Sequence, residues 1–139
     1  MKYKRKVPCT KEQLKEIRGF VNSSLGQHGL SDVDISAMVL AIDEVCANLI
    51  IHSHHCNPKE FIEVIINIVP HEGVEFMIVD EGVGFDINQY DEPNIDDLIR
   101  TKRKGGIGLI LVKKIMDDID FIKKNSKNTC RLYKKIDIS

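Results

Sequence analysis

In "LAIDEVCANLIIH", residues 40–52, Glu44 and Asn48 stand four positions apart. On a helix that spacing projects a carboxylate and an amide from one face. Their neighbours on that side are Ala37, Leu40, Ala41, Ala47 and Ile51, with His52 one turn on. A surface helix would carry charges there instead. If the side is covered, each polar group costs about 1–3 kcal/mol when left without a partner. Glutamate and asparagine offer oxygens suited to a hard cation such as Mg²⁺, directly or through water. A plain exposed polar pair is the competing reading.

Three further stretches have chemical potential. "DEGVGFD", residues 80–86, sets Gly82 and Gly84 in an acidic frame directly after the apolar run "VEFMIV". It reads either as an ordinary strand-ending turn or as an edge where a flat ligand touches backbone, because glycine removes the Cβ. "KRKGGIGLILVKK", residues 102–114, puts Gly105, Gly106 and Gly108 at the front of an apolar helix. Bare N–H groups at a helix N-terminus favour anions, and Lys102, Arg103 and Lys104 add positive charge, so this reads as a phosphate seat. Glycine there can also simply permit close helix packing. "HSHHCNP", residues 52–58, carries the metal-capable His52, His54, His55 and Cys56. Standing at a helix end before Pro58, these are read as complementing the C-terminal dipole and solvating the exit loop, with metal binding the lesser reading.

The elements that must position these groups follow from periodicity. "KRKVPC" is a short first strand. A first helix opens with Thr10 as N-cap, carries Leu14, Ile17, Phe20, Val21 and Leu25 at helical spacing, and ends at Gly26 and Gly29. The second begins after Ser31 or Asp32 and runs to about His54; Ile35, Met38, Val39, Ile42, Cys46, Leu49 and Ile50 form its core stripe. "FIEVIINIV" and "VEFMIV" are strands joined by the hairpin "PHEG", and "DFIKKN" and "TCRLYKKIDI" are two more around "SKN". Between the pairs lies a polar stretch from Asp86 to Lys104, with one helical turn near "IDDLIR" and the character of a lid, followed by the helix "GGIGLILVKKIMDDI". The order β-α-α-β-β-loop-α-β-β predicts a single α+β domain over residues 1–139, a two-layer sandwich. Its sheet is expected to be mixed but mostly antiparallel, with helices on one face.

Composition agrees. The chain of 139 residues is 42% hydrophobic and 29% charged, with a formal net charge of −1. Near-cancelling charge leaves no surplus for a polyanion, so direct nucleic-acid binding is not expected and the basic start "MKYKRK" reads as a solvated strand. No stretch stands out as the ~20-residue apolar run of a membrane span, and no signal peptide is recognised. The expectation is a cytoplasmic protein with Cys9, Cys46, Cys56 and Cys130 reduced.

The three motifs occur in one order: E-x-x-x-N on a helix, D-x-G-x-G after a strand, and G-G-x-G-L after a basic loop. In that order they resemble the GHKL (Bergerat-fold) ATP-binding superfamily over nearly the whole chain. "LAIDEVCANLIIH" and "GGIGLILVKKIMDDI" look most like the stand-alone anti-sigma factor serine/threonine protein kinases of bacteria. The resemblance implies Mg–ATP as cofactor, with Asp80 accepting from the adenine amino group and Gly82 and Gly84 lying against base and ribose. It implies that Asn48 coordinates Mg²⁺, that Glu44 is the general base, and that Gly105, Gly106 and Gly108 with Arg103 or Lys104 hold the phosphates. The implied partners are a small anti-anti-sigma protein as phosphoacceptor, a sigma factor, and a second copy in a homodimer. One departure stands out: Lys104 lies where those kinases often carry arginine. Lysine neutralises phosphate as a point charge but makes no bidentate fork. That difference keeps open a second reading, a nucleotide-toggled binding module without phosphoryl transfer.

Overall fold

In the computed structural model, residues 1–81 and 106–138 are described. Nine elements' worth of sequence pattern resolves into β1 (Lys2–Pro8), α1 (Gln13–Gly26), α2 (Asp32–Ala47) with a wider helical turn over Asn48–Ser53, β2 (Phe61–Val69), β3 (Gly73–Glu81), α3 (Gly106–Ile115), β4 (Asp118–Lys124) and β5 (Lys127–Lys135). The Asp86–Lys104 stretch, with the helical turn and lid expected in it, lies outside the described residues.

The five strands form one sheet in the order β1-β2-β3-β5-β4. All four pairings are antiparallel, so the mostly antiparallel expectation holds throughout the described sheet. Two tight hairpins supply part of the pattern. His71 (φ 63°) turns β2 into β3, and Asn125 and Ser126 (φ 51° and 60°) turn β4 into β5. Two consecutive positive φ values match the right-handed strand twist, which is why short hairpin loops favour them.

Alternation decides which face is covered. Ile62, Val64, Ile66 and Ile68 of β2, Val74, Phe76 and Ile78 of β3, and Cys130 and Leu132 of β5 are buried together with residues of the helices. The opposite face carries Lys4, Lys6, Glu63, Glu75 and Arg131, with Arg131 bonded to Glu75 at 2.6 Å. Helices therefore occupy one face, while the other is mixed, with Phe61, Ile65, Met77, Val79 and Ile122 set among its charged residues.

α2 lies centrally, packed by α1 on one side and α3 on the other. That placement buries more of it than a single sheet-facing stripe requires. Ala41 and Val45 are buried in addition to Ile35, Met38, Ile42 and Cys46, while Val39 is half-buried. The helical run Asp32–Ser53 spans 22 residues with mean hydropathy 1.6, long and apolar enough by composition to cross a membrane. This corrects the sequence reading that no stretch approached that length. Here the run is the core helix: most of its larger apolar side chains pack into the core, with Val33 and Leu40 left exposed.

Thr10 is a second correction. α1 starts at Gln13, and Thr10 contributes its carbonyl oxygen to the Gln13 N–H at 3.1 Å, with no side-chain cap at the helix start. Overlapping turns at Thr10–Gln13 and Lys11–Leu14 wind the chain into the helix instead. Of the two starts expected for α2, Ser31 is the cap, accepting from the Asp34 N–H at 3.1 Å.

Candidate functional site

The expected pair on α2 is present and internally connected. Asn48 Nδ2 donates to the Glu44 carbonyl oxygen at 2.9 Å, a half-buried contact that anchors the amide through its nitrogen and leaves Oδ1 as an acceptor. Glu44 is half-buried, and burial followed by the charge of Asp43 raises its carboxyl above the ordinary range. Asp43 itself is turned to α1, accepting from Arg18 at 3.0 Å. The helix thus separates two adjacent carboxylates, one tied into an interhelical ion pair and one made more basic by its surroundings.

At Asn48 the helix changes character. Over Asn48–Ser53 the repeat widens to a π-turn, closed by the His54 N–H donating to the Leu49 carbonyl at 2.9 Å, five residues back. Such single-turn widenings occur frequently at functional sites. The following residues, His55 and Cys56, both adopt left-handed backbone (φ 51° and 56°), an uncommon conformation for non-glycine residues. The Cys56 N–H closes the turn on the Ile50 carbonyl at 2.8 Å.

The result is to drive His54 inward. Its side chain is buried, 1% exposed, where the sequence reading had it solvating an exit loop. A π-turn inserts one residue into the helical repeat, so side chains beyond it are rotated by about 100° from a regular projection. His52 and His55 do remain exposed, and among the described residues no group of three His, Cys, Asp or Glu is arranged to hold a metal ion.

His54 meets the acidic motif of β3. Its Nε2 lies 2.7 Å from Oδ2 of Asp80, which is 2% exposed, and its Nδ1 lies 3.2 Å from Oε2 of Glu60. The Glu60 contact has ion-pair distance without hydrogen-bond alignment, so Asp80 is the stronger partner. The hydrogen bond that the imidazole donates to Asp80 raises the imidazole above its ordinary value, working against burial, and Glu60 adds to the rise. A carboxylate this deep is stable only when paired.

Register explains why Asp80 sits there. Val7, Ile62, Asp80 and Asn128 form one cross-strand row through β1, β2, β3 and β5, on the face that carries the helices. In the rows behind, β2, β3 and β5 contribute only apolar side chains and Cys130: Val64–Ile78–Cys130 and Ile66–Phe76–Leu132. The core face therefore turns polar in a single step at the end of β3. Asn128 shares the step: it is 2% exposed, and neither Nδ2 nor Oδ1 has a hydrogen-bond partner among the described residues. The sequence reading missed His54 as an Asp80 partner and Asn128 altogether. Pairing β3 with β5 would have exposed the second, since it sets "KNTC" beside "VDE".

Of the remaining expected residues, Gly106 is the first residue of α3 and Gly108 lies in its first turn. Gly82, Gly84, Arg103, Lys104 and Gly105 lie outside the described residues. Asp80 is bonded to His54 and not to Glu44 or Asn48. The two clusters share one helical run, six residues or about 9 Å apart along its axis.

The histidine kinase-like ATPase domain matches residues 7–134. The chain belongs to that family. Among its histidine kinase-like relatives, the serine-protein kinases RsbW of Bacillus cereus and Bacillus thuringiensis are each 28% identical over 125 residues, covering 87% of this chain and 77% of theirs. The structure of the RsbU and RsbW domains of Rv1364c from Mycobacterium tuberculosis superposes with a TM-score of 0.69 at 16% identity. It covers 99% of this chain, which corresponds to 32% of that longer one, and it establishes the α+β fold of the histidine kinase-like ATPase domain here.

Proposed function

We propose that this protein is an Mg–ATP-dependent serine/threonine protein kinase that acts as an anti-sigma factor in partner switching, with a small anti-anti-sigma protein as its phosphoacceptor. The observation that carries the reading is Asp80, a carboxylate buried at the end of β3 in a family of ATP-binding domains, with Glu44 and Asn48 on the helix above. The serine-protein kinases among the relatives favour a protein hydroxyl as acceptor.

Each residue then has a task. Asp80 accepts from the adenine amino group, with Gly82 and Gly84 keeping Cβ atoms away from base and ribose. Asn48, anchored through Nδ2, offers Oδ1 towards Mg²⁺. When bound, the cation supplies charge neutralisation on the phosphates. Gly106 and Gly108 at the start of α3, with Gly105 before them in sequence, present N–H groups to the phosphates, and Arg103 or Lys104 supplies positive charge. Glu44, whose half-buried carboxyl is more basic than usual, takes the proton of the incoming serine or threonine hydroxyl. Little covalent chemistry is asked of the protein in such transfers, so positioning and electrostatics carry the rate. A sigma factor as second partner, a homodimer and a cytoplasmic location belong to the same proposal.

Titration calorimetry with a non-hydrolysable ATP analogue, with and without Mg²⁺, on wild type and Asp80→Asn tests the pocket. Mg-dependent binding that is lost in the variant is the expected result. No binding to wild type would overturn the proposal. Binding without any labelled phosphate reaching a serine-bearing partner would favour a nucleotide-toggled binding module instead.

A further inference from the structure

We propose that His54 is the positioning residue of the nucleotide site: it orients the Asp80 carboxylate through one oxygen, so that the other oxygen is presented as an acceptor for the base. This rests on the nucleotide reading above and adds a residue to it. Three observations carry it. The imidazole is buried and lies 2.7 Å from Oδ2 of Asp80. Its second nitrogen faces Glu60, 3.2 Å away, so the ring stands between two carboxylates. The backbone that brings it there, a π-turn followed by two left-handed residues, is costly to hold and has no other evident purpose than to turn His54 inward.

A carboxylate has two oxygens, and donors on a base need one of them free and unprotonated. Oδ2 is engaged by His54, which leaves Oδ1. The other titratable groups near the pair are Glu60 before β2, Cys9 after β1, Cys56 beyond the π-turn and Cys130 on β5. The Cys9 and Cys130 thiols are pushed up to about 11 and about 12 and stay neutral, so His54 is the cation of the cluster among the described residues.

Two variants test the orienting donor. His54→Gln retains an N–H donor; His54→Leu removes it. Affinities for the non-hydrolysable ATP analogue and for the matching GTP analogue are measured by calorimetry, with circular dichroism confirming the fold. His54→Gln should bind the ATP analogue within a few-fold of wild type and keep its preference over the GTP analogue. His54→Leu should be weaker for the ATP analogue by about tenfold and should discriminate less against the GTP analogue, because the carboxylate is no longer held in one orientation. A folded His54→Leu that binds and discriminates as wild type does would overturn the proposal, and so would a folded His54→Gln that loses both affinity and discrimination. Wild type that binds no nucleotide would instead remove the underlying nucleotide reading.

Discussion

Replacing Asp80 by asparagine tests the pocket and also perturbs the fold, and the two effects can be separated by pH. In the native protein His54 is fully enclosed and bonded to Asp80 at 2.7 Å. The folded-state imidazole titrates above its ordinary value, chiefly because of that bond. The stabilisation it contributes is therefore complete below the unfolded value of about 6.5 and is lost as pH rises through the raised one. Asparagine can still accept from Nε2–H, so the change converts a charge-assisted hydrogen bond, worth about 1.5–3 kcal/mol, into a neutral one of about 0.5–1.5 kcal/mol. The expected loss is about 1–2 kcal/mol at about pH 6 and smaller at about pH 9, as pH moves up through the raised imidazole value. Urea titrations of wild type and Asp80→Asn at the two pH values, under reductant, measure the difference directly. An equal loss at both, or a larger one at high pH, would refute the charged-pair account. A binding defect that persists unchanged as the stability loss shrinks with pH reports recognition alone.

Four further outcomes are expected. Glu44→Gln should keep ATP affinity and lose about 10²–10⁴-fold in phosphoryl transfer, measured with labelled ATP and a protein acceptor; unchanged transfer would remove Glu44 from the base role. Gly73→Ala should destabilise by about 2 kcal/mol or more in urea, because its Cβ would fall 2.7 Å from the Tyr133 hydroxyl and within 2.3 Å of the Lys134 carbonyl oxygen on the paired strand. Gly19→Ala in α1 meets nothing within 4 Å and should stabilise by about 0.5–1 kcal/mol, so equal effects would contradict the packing at Gly73. In native protein near neutral pH, Cys56 should react with a thiol reagent before Cys9, Cys46 and Cys130, whose burial raises all three thiols; mass spectrometry of partly alkylated protein identifies the order.

The fold was legible because its elements speak through period and punctuation. "FIEVIINIV" and "VEFMIV" could hardly be anything but strands, and Ser31, one of the two expected starts, capped α2. Glu44 and Asn48 were legible as a pair because their relation lies within regular helix, where spacing fixes direction. His54 was not, because one widened turn changes the phase of everything after it, and no local composition announces a π-turn. Thr10 misled for a related reason: a good capping residue was present, but overlapping turns took over the helix start. Asn128 depends on a pairing across 48 positions of chain, with Asp80, which only the assembled sheet reveals.

The sheet order has a further consequence for how this protein can be approached. Among the described strands, β1 and β4 are the two edges. β1 presents Lys2, Lys4, Arg5 and Lys6 and ends in Pro8, and β4 finishes in Lys123 and Lys124. Lysines and a proline on an outer strand oppose the docking of another chain's backbone. Growth of the sheet by strand addition is thereby discouraged on both sides, which protects a β-rich protein from self-association through its hydrogen-bonding rims. Encounters with other proteins are left to side chains on helices and loops, surfaces that can be released as readily as they are engaged.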